Sequence, residues 1–180
     1  ATLQKLRRGG ILLSAHYGCH ELVAREVAAT GAKLLSSALP MKSSIAERWL
    51  ALRRQRWQTP AIELKGRLAE ALDHLRNGGV FGVMIDQDPM GSGERTLFLG
   101  VEAERTRLAD LLWKRTKSPT VVFGIAMTGA AEQGEVRELR FRTVDSSKGS
   151  PTEQAQQLLE ESIGQRPELW YGWIHRRYKS

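Results

Sequence analysis

A histidine and a glutamate five positions apart, in Ser14-Ala-His16-Tyr-Gly-Cys-His-Glu21, follow directly on the apolar run 10–15. A neutral imidazole can take a proton from an alcohol, and a carboxylate on its other ring nitrogen fixes the tautomer and stabilises the imidazolium that forms. Gly18 lets the chain turn sharply after the histidine, so Glu21, opening a helix, can fold back as that partner. A His and a Glu at this spacing also occur together by chance. His16, His20 and Glu21 are metal-ligand types, yet the spacing is not that of a His-Glu-x-x-His helix, and Gly18 opposes one continuous helix through both histidines. Cys19 beside two histidines has the surroundings of a nucleophile and equally those of a small apolar filler. Asp86 and Asp88 follow a second apolar run, 80–85. They suit a hydroxyl, an arginine or a cation, and Asp86-Gln-Asp-Pro is also ordinary turn chemistry ahead of a proline.

Hydrophobic periodicity supplies the elements that must hold these groups. Residues 10–15 read as a continuous apolar strand, 21–30 as a helix stopped by Gly31, and 33–36 as a short strand. Residues 45–57 have helical spacing, with Ile45, Trp49 and Leu52 on one face. Residues 61–64 can be a strand; Leu68, Ala71, Leu72 and Leu75 mark a helix ended by Asn77-Gly-Gly79, and 80–85 is a buried strand. Leu108, Leu111 and Leu112 mark the next helix, 120–127 a strand, and 139–143 a half-exposed strand pairing back across a loop at 129–134. Ser150-Pro-Thr-Glu153 is a capping box opening a helix whose inner stripe is Ala155, Leu158, Leu159 and Ile163. This alternation predicts a single-domain α/β fold, a mixed, mostly parallel sheet flanked by helices on both faces. Ligands of such sheets sit beyond the carboxyl ends of the strands, where His16 and Asp86 fall.

A chain of 180 residues with 41% hydrophobic and 26% charged side chains suits one folded domain with no disordered or collagen-like bias. Its single cysteine rules out an internal disulfide. No stretch reaches the roughly 20 apolar residues of a membrane span, and no leader pattern opens the chain, so it is expected to be soluble or peripheral. The net charge of +7 is concentrated in Lys5-Leu-Arg-Arg8, Arg53-Arg-Gln-Arg56 and His175-Arg-Arg-Tyr-Lys179. Such clusters attract phosphates on lipid headgroups, an acidic carrier protein or nucleic acid, or simply form a solvated basic surface. The aromatics interleaved with base from Trp170 onward can stack on bases, sit at a membrane interface or dock the terminus on the core. There is no Walker loop, no Gly-x-Ser-x-Gly elbow and no nucleic-acid fingerprint.

Three blocks in order resemble the late acyltransferases of lipid A biosynthesis, within the lysophospholipid acyltransferase-like superfamily. Ile11-Leu-Leu-Ser-Ala-His16-Tyr-Gly-Cys-His-Glu21 looks like the His-x4-Asp/Glu block, Gly79-Val-Phe-Gly-Val-Met-Ile-Asp86-Gln-Asp like the second acidic block, and Trp170-Tyr-Gly-Trp-Ile-His175-Arg176-Arg-Tyr-Lys179 like the aromatic His-Arg-Arg ending. The resemblance implies a glycerolipid acyltransferase-like fold. It implies transfer of a fatty acyl group from a thioester, on acyl carrier protein or coenzyme A, to a hydroxyl of a lipid acceptor, a lipid A precursor or related glycolipid. His16 would be the general base and Glu21 its orienting partner, with Arg54, Arg56, Asp86, His175 and Arg176 binding substrate. No covalent acyl-enzyme, metal or further cofactor is implied. The implied partners are the acyl donor, the lipid acceptor and a membrane surface, not nucleic acid, and the implied place is the cytoplasmic face of a bacterial inner membrane. Two positions depart from the family's usual residues: His20 stands for a tryptophan, and Leu39 for an arginine. The family also carries an amino-terminal membrane helix before the first block; with fifteen residues ahead of His16, residues 1–180 are expected to be an acyltransferase domain without that anchor.

Two other readings stand beside this one. An acyl thioesterase would use the same base with water as acceptor. A non-enzymatic basic module would bind anionic lipid or nucleic acid through the charged, aromatic carboxyl end.

Overall fold

The computed structural model describes residues 1–87, 89, 92–131 and 134–174. Its sheet has six strands: β1 (Gly10–Ser14), β2 (Leu34–Ser37), β3 (Ala61–Ile62), β4 (Val80–Met84), β7 (Val121–Ala131) and β8 (Gly134–Thr143), in the order β3-β2-β4-β1-β7-β8. All pairings are parallel except β7 with β8. The remaining two strands, β5 (Glu94–Phe98) and β6 (Val101–Arg105), form a separate antiparallel hairpin. The expected mixed, mostly parallel sheet is therefore present. The loop expected at 129–134 is shorter, because the β7/β8 ladder continues to Ala131 opposite Gly134.

The central strands are apolar on both sides because helices cover both faces. On one face, Ile11, Leu13, Phe81, Val83, Val121 and Phe123 pack with Ala71 and Leu75 of α4 (Leu68–Arg76), Ala109 and Leu112 of α5 (Leu108–Thr116), and Ala155, Leu159 and Ile163 of α6 (Pro151–Gln165). On the other, Leu12, Leu34, Val80 and Val122 pack with Leu6 of α1 (Thr2–Leu6) and with Val23 and Val27 of α2 (His20–Ala29). Each such large side chain contributes about 1.5–3 kcal/mol by leaving water. Ser150 caps α6, its Oγ accepting from Glu153 N at 3.1 Å.

The helix α3 (Ser44–Trp57) is different: it buries no side chain fully. It starts on Ser43, whose hydroxyl accepts from Ala46 N, and ends at Gln58 in the left-handed conformation. Thr59, which is buried, then donates its N–H to Arg54 O at 2.9 Å, fixing the last turn.

Candidate active site

The register of the two central strands makes the site. Gly10 lies opposite Val80 and Ser14 opposite Met84, and Ile85 N still donates to Ser14 O at 2.9 Å. The same offset of 70 residues brings His16 beside Asp86 where both strands end. Asp86 Oδ2 accepts the backbone N–H of His16 at 2.8 Å, and Oδ1 lies 2.9 Å from His16 Nδ1. Asp86 is 2% exposed. Burial alone raises its pKa, but the hydrogen bonds and charge of His16 and the Trp170 indole N–H outweigh that, holding the carboxyl below its usual value. Ionised Asp86 has only acceptors, so Nδ1 carries the imidazole proton in this pair.

The turn after His16 is tight. Tyr17 N donates to Ala15 O at 2.7 Å, and Gly18 has φ +55°, with Ala126 O 1.8 Å from where a Cβ would stand. Only glycine fits there. The turn is clasped by the far end of the chain: Gly18 N donates to Leu169 O and Tyr171 N to His16 O, both at 2.8 Å. Between them Trp170, 1% exposed, donates its indole N–H to Asp86 Oδ2 at 3.0 Å. The buried Tyr17 hydroxyl donates to Ser162 O at 2.8 Å, tying the same turn to α6.

Glu21 is the expected orienting partner of the imidazole; in the structure the carboxylate on Nδ1 is that of Asp86. Glu21, in the first turn of α2, instead accepts from Arg54 Nη2 at 3.1 Å. The strand register holds Asp86 alongside His16, whereas Glu21 has already entered the helix that faces α3. Arg54 is thereby held beside the first turn of α2. Arg56, two residues on, turns to the opposite side of α3 and is exposed, so the structure does not bring it to the site. His175 and Arg176 lie outside the described residues, as does Asp88. Cys19 packs against the second core as an apolar side chain.

His20 meets His16 edge-on, with ring centroids 4.9 Å apart, and its buried Nδ1 has no hydrogen-bond partner among the described residues. Burial and the neighbouring His16 lower its pKa, against the opposing pull of Glu21 and Asp86, which favours a neutral ring. Among the described residues, no three His, Cys, Asp or Glu side chains come together as a metal cage.

A cavity of about 400 Å³ opens beside these groups, within the size range of small-ligand sites. His16, His20, Glu21 and Arg54 stand in its wall, and its floor is the α2 side of the sheet, where the small Ser14, Ser36 and Gly82 lie beside Leu12. A Cβ on Gly82 would come 2.6 Å from Ser36 Oγ, so the two share one narrow space. Leu39, Pro40, Met41 and Leu50 complete an apolar wall. His16 and Asp86 stand at the strand edge where the order of elements puts them; Trp170, the donor that holds Asp86, carries no signal beyond the aromatic cluster it belongs to, which is a signal for docking on the core.

A carboxylate-held histidine at the carboxyl edge of a parallel sheet, facing an apolar hollow, defines an α/β enzyme suited to moving a proton on a substrate with an apolar part. The family model for bacterial lipid A biosynthesis acyltransferases matches residues 2–180; the chain belongs to that family and is an acyltransferase. A comparison with curated proteins gave no match.

Proposed function

We propose that this acyltransferase moves a fatty acyl chain from a thioester, on acyl carrier protein or coenzyme A, to a hydroxyl of a lipid A precursor or related glycolipid at the cytoplasmic face of a bacterial inner membrane. The observation that carries the reading is the His16–Asp86 pair at the mouth of an apolar cavity. The acceptor hydroxyl attacks the thioester carbonyl while its proton passes to His16 Nε2. Asp86, bonded at Nδ1, keeps the tautomer and stabilises the imidazolium. Collapse of the tetrahedral oxyanion forms the ester, expels the thiolate, and returns the proton to sulfur from His16.

Charge builds on the carbonyl oxygen in that step. The Arg54 guanidinium, held by Glu21, and the amino end of α2 face the same cavity and are suited to offset it. In this reading Glu21 acts through Arg54, and Asp86 takes the orienting role.

Incubating the chain with labelled acyl carrier protein or acyl coenzyme A and lipid A precursors, followed by mass spectrometry, tests the proposal. A lipid heavier by one acyl chain is expected, and its loss in His16→Ala ties transfer to the histidine. Release of free fatty acid without an acylated lipid would make the chain a thioesterase instead.

A further inference from the structure

The outer face of α3 runs against the usual order of a globular protein. Ile45, Trp49 and Leu52, spaced to lie along one side of the helix, are 81%, 60% and 59% exposed. Leu39 and Met41, just before the helix, are exposed as well, so half of the large exposed apolar side chains among the described residues fall between 39 and 52. Arg48 and Arg56 share that outer face and are exposed, with Lys42 at its start. Arg53 braces the Trp49 ring from behind, its guanidinium carbon 5.0 Å from that ring's centroid and 4.1 Å from that of Trp57.

From this face we infer that α3 is the surface by which the enzyme lies on an anionic lipid bilayer, Ile45, Trp49 and Leu52 entering the acyl boundary and Arg48 and Arg56 reaching headgroup phosphates. An apolar stripe flanked by arginines, carrying a tryptophan, is the composition of an interfacial helix. Other occupants fit less well. A second copy would set Arg48 and Arg56 against the same arginines, and an acidic carrier would meet the arginines but leave three large apolar side chains against charge. Leu39 and Met41 belong both to the exposed patch and to the cavity wall, so the bilayer would be continuous with the hollow that His16 faces. This last step rests on the acyl-transfer reading; the docking itself does not.

Co-sedimentation tests it, with vesicles of phosphatidylglycerol mixed with phosphatidylcholine and of phosphatidylcholine alone, at low and high salt. The native chain is expected to bind the anionic vesicles, less at high salt. Trp49→Ser with Leu52→Ser should weaken that binding about tenfold or more, and Arg48→Gln with Arg56→Gln about tenfold, with Tm unchanged because these side chains are exposed. No binding by the native chain overturns the inference, as does binding that both variants retain. Dissociation of a dimer by the apolar pair, or loss of acyl carrier protein binding with vesicle binding intact, would assign the face to that partner and overturn it too. Vesicle binding needs no turnover, so its failure leaves transfer through His16 standing, and an inactive chain leaves the vesicle result standing.

Discussion

The indole N–H of Trp170 donates to Asp86 Oδ2 at 3.0 Å, joining two buried side chains 84 residues apart. Phe98 of the β5/β6 hairpin packs on the same indole, with ring centroids 5.3 Å apart. Asp86 thereby has donors on both sides, the His16 backbone and ring on one and the Trp170 indole on the other.

Trp170→Phe keeps much of the packing and removes that one donor. We expect a loss of about 1–2 kcal/mol in urea unfolding together with reduced transfer, because a carboxylate missing one of its bonds holds the imidazole less firmly. Unchanged stability would mean that the indole is merely filling space.

The roles of His16 and Asp86 are open to direct measurement. His16→Ala should lower transfer at least about a hundredfold while the circular dichroism spectrum is preserved, and Asp86→Asn should come close to it. A folded His16→Ala chain with native turnover would refute the histidine as base.

Glu21 and Arg54 should behave as a unit. Each side chain is about one-fifth exposed, so the ion pair is only partly screened, and Glu21→Gln and Arg54→Gln should each cost activity, their combination costing little more than either alone. Additive losses in kcat/KM would separate their roles.

Ser36 lies on the cavity floor, and Ser36→Leu would set three carbon atoms where one hydroxyl oxygen stands. The longest acyl group accepted should shorten by a few carbons, read from the mass of products formed from a mixture of donors. An unaltered chain-length profile would put the acyl chain elsewhere.

His20 gives the fold a pH dependence. Its pKa is lowered from 6.5, so the unfolded chain gains that proton first on acidification. The corresponding stability is complete above about pH 6.5 and is lost as pH falls through the folded-state value. Between about pH 7 and pH 5, Tm should fall less steeply for His20→Gln than for the native chain.

Much of this architecture was legible in residue order. Continuous apolar runs at 10–15 and 80–85 read as strands buried on both faces, and both end in groups able to do chemistry. What order along the chain could not supply was adjacency across the sheet. Glu21 is nearer to His16 in sequence, but β1 and β4 are neighbours, and strand pairing decides in favour of Asp86. The hairpin was hidden for a related reason. Its turn, Leu99-Gly100, puts both residues at positive φ with a leucine where asparagine or glycine is usual, so no turn signature marks it. Helix α3 was readable as a helix with Ile45, Trp49 and Leu52 aligned, yet periodicity cannot say whether a stripe faces a core or solvent.

The clasp of Leu169 and Tyr171 on the turn at His16 also sets an order of events during synthesis. Chains leave the ribosome amino end first, so the histidine emerges long before the residues that lock it and its aspartate in place. A nascent or prematurely terminated chain carries the imidazole without its restraint. The site is therefore completed only when the segment 169–171 has been made and has folded back on the turn at Gly18.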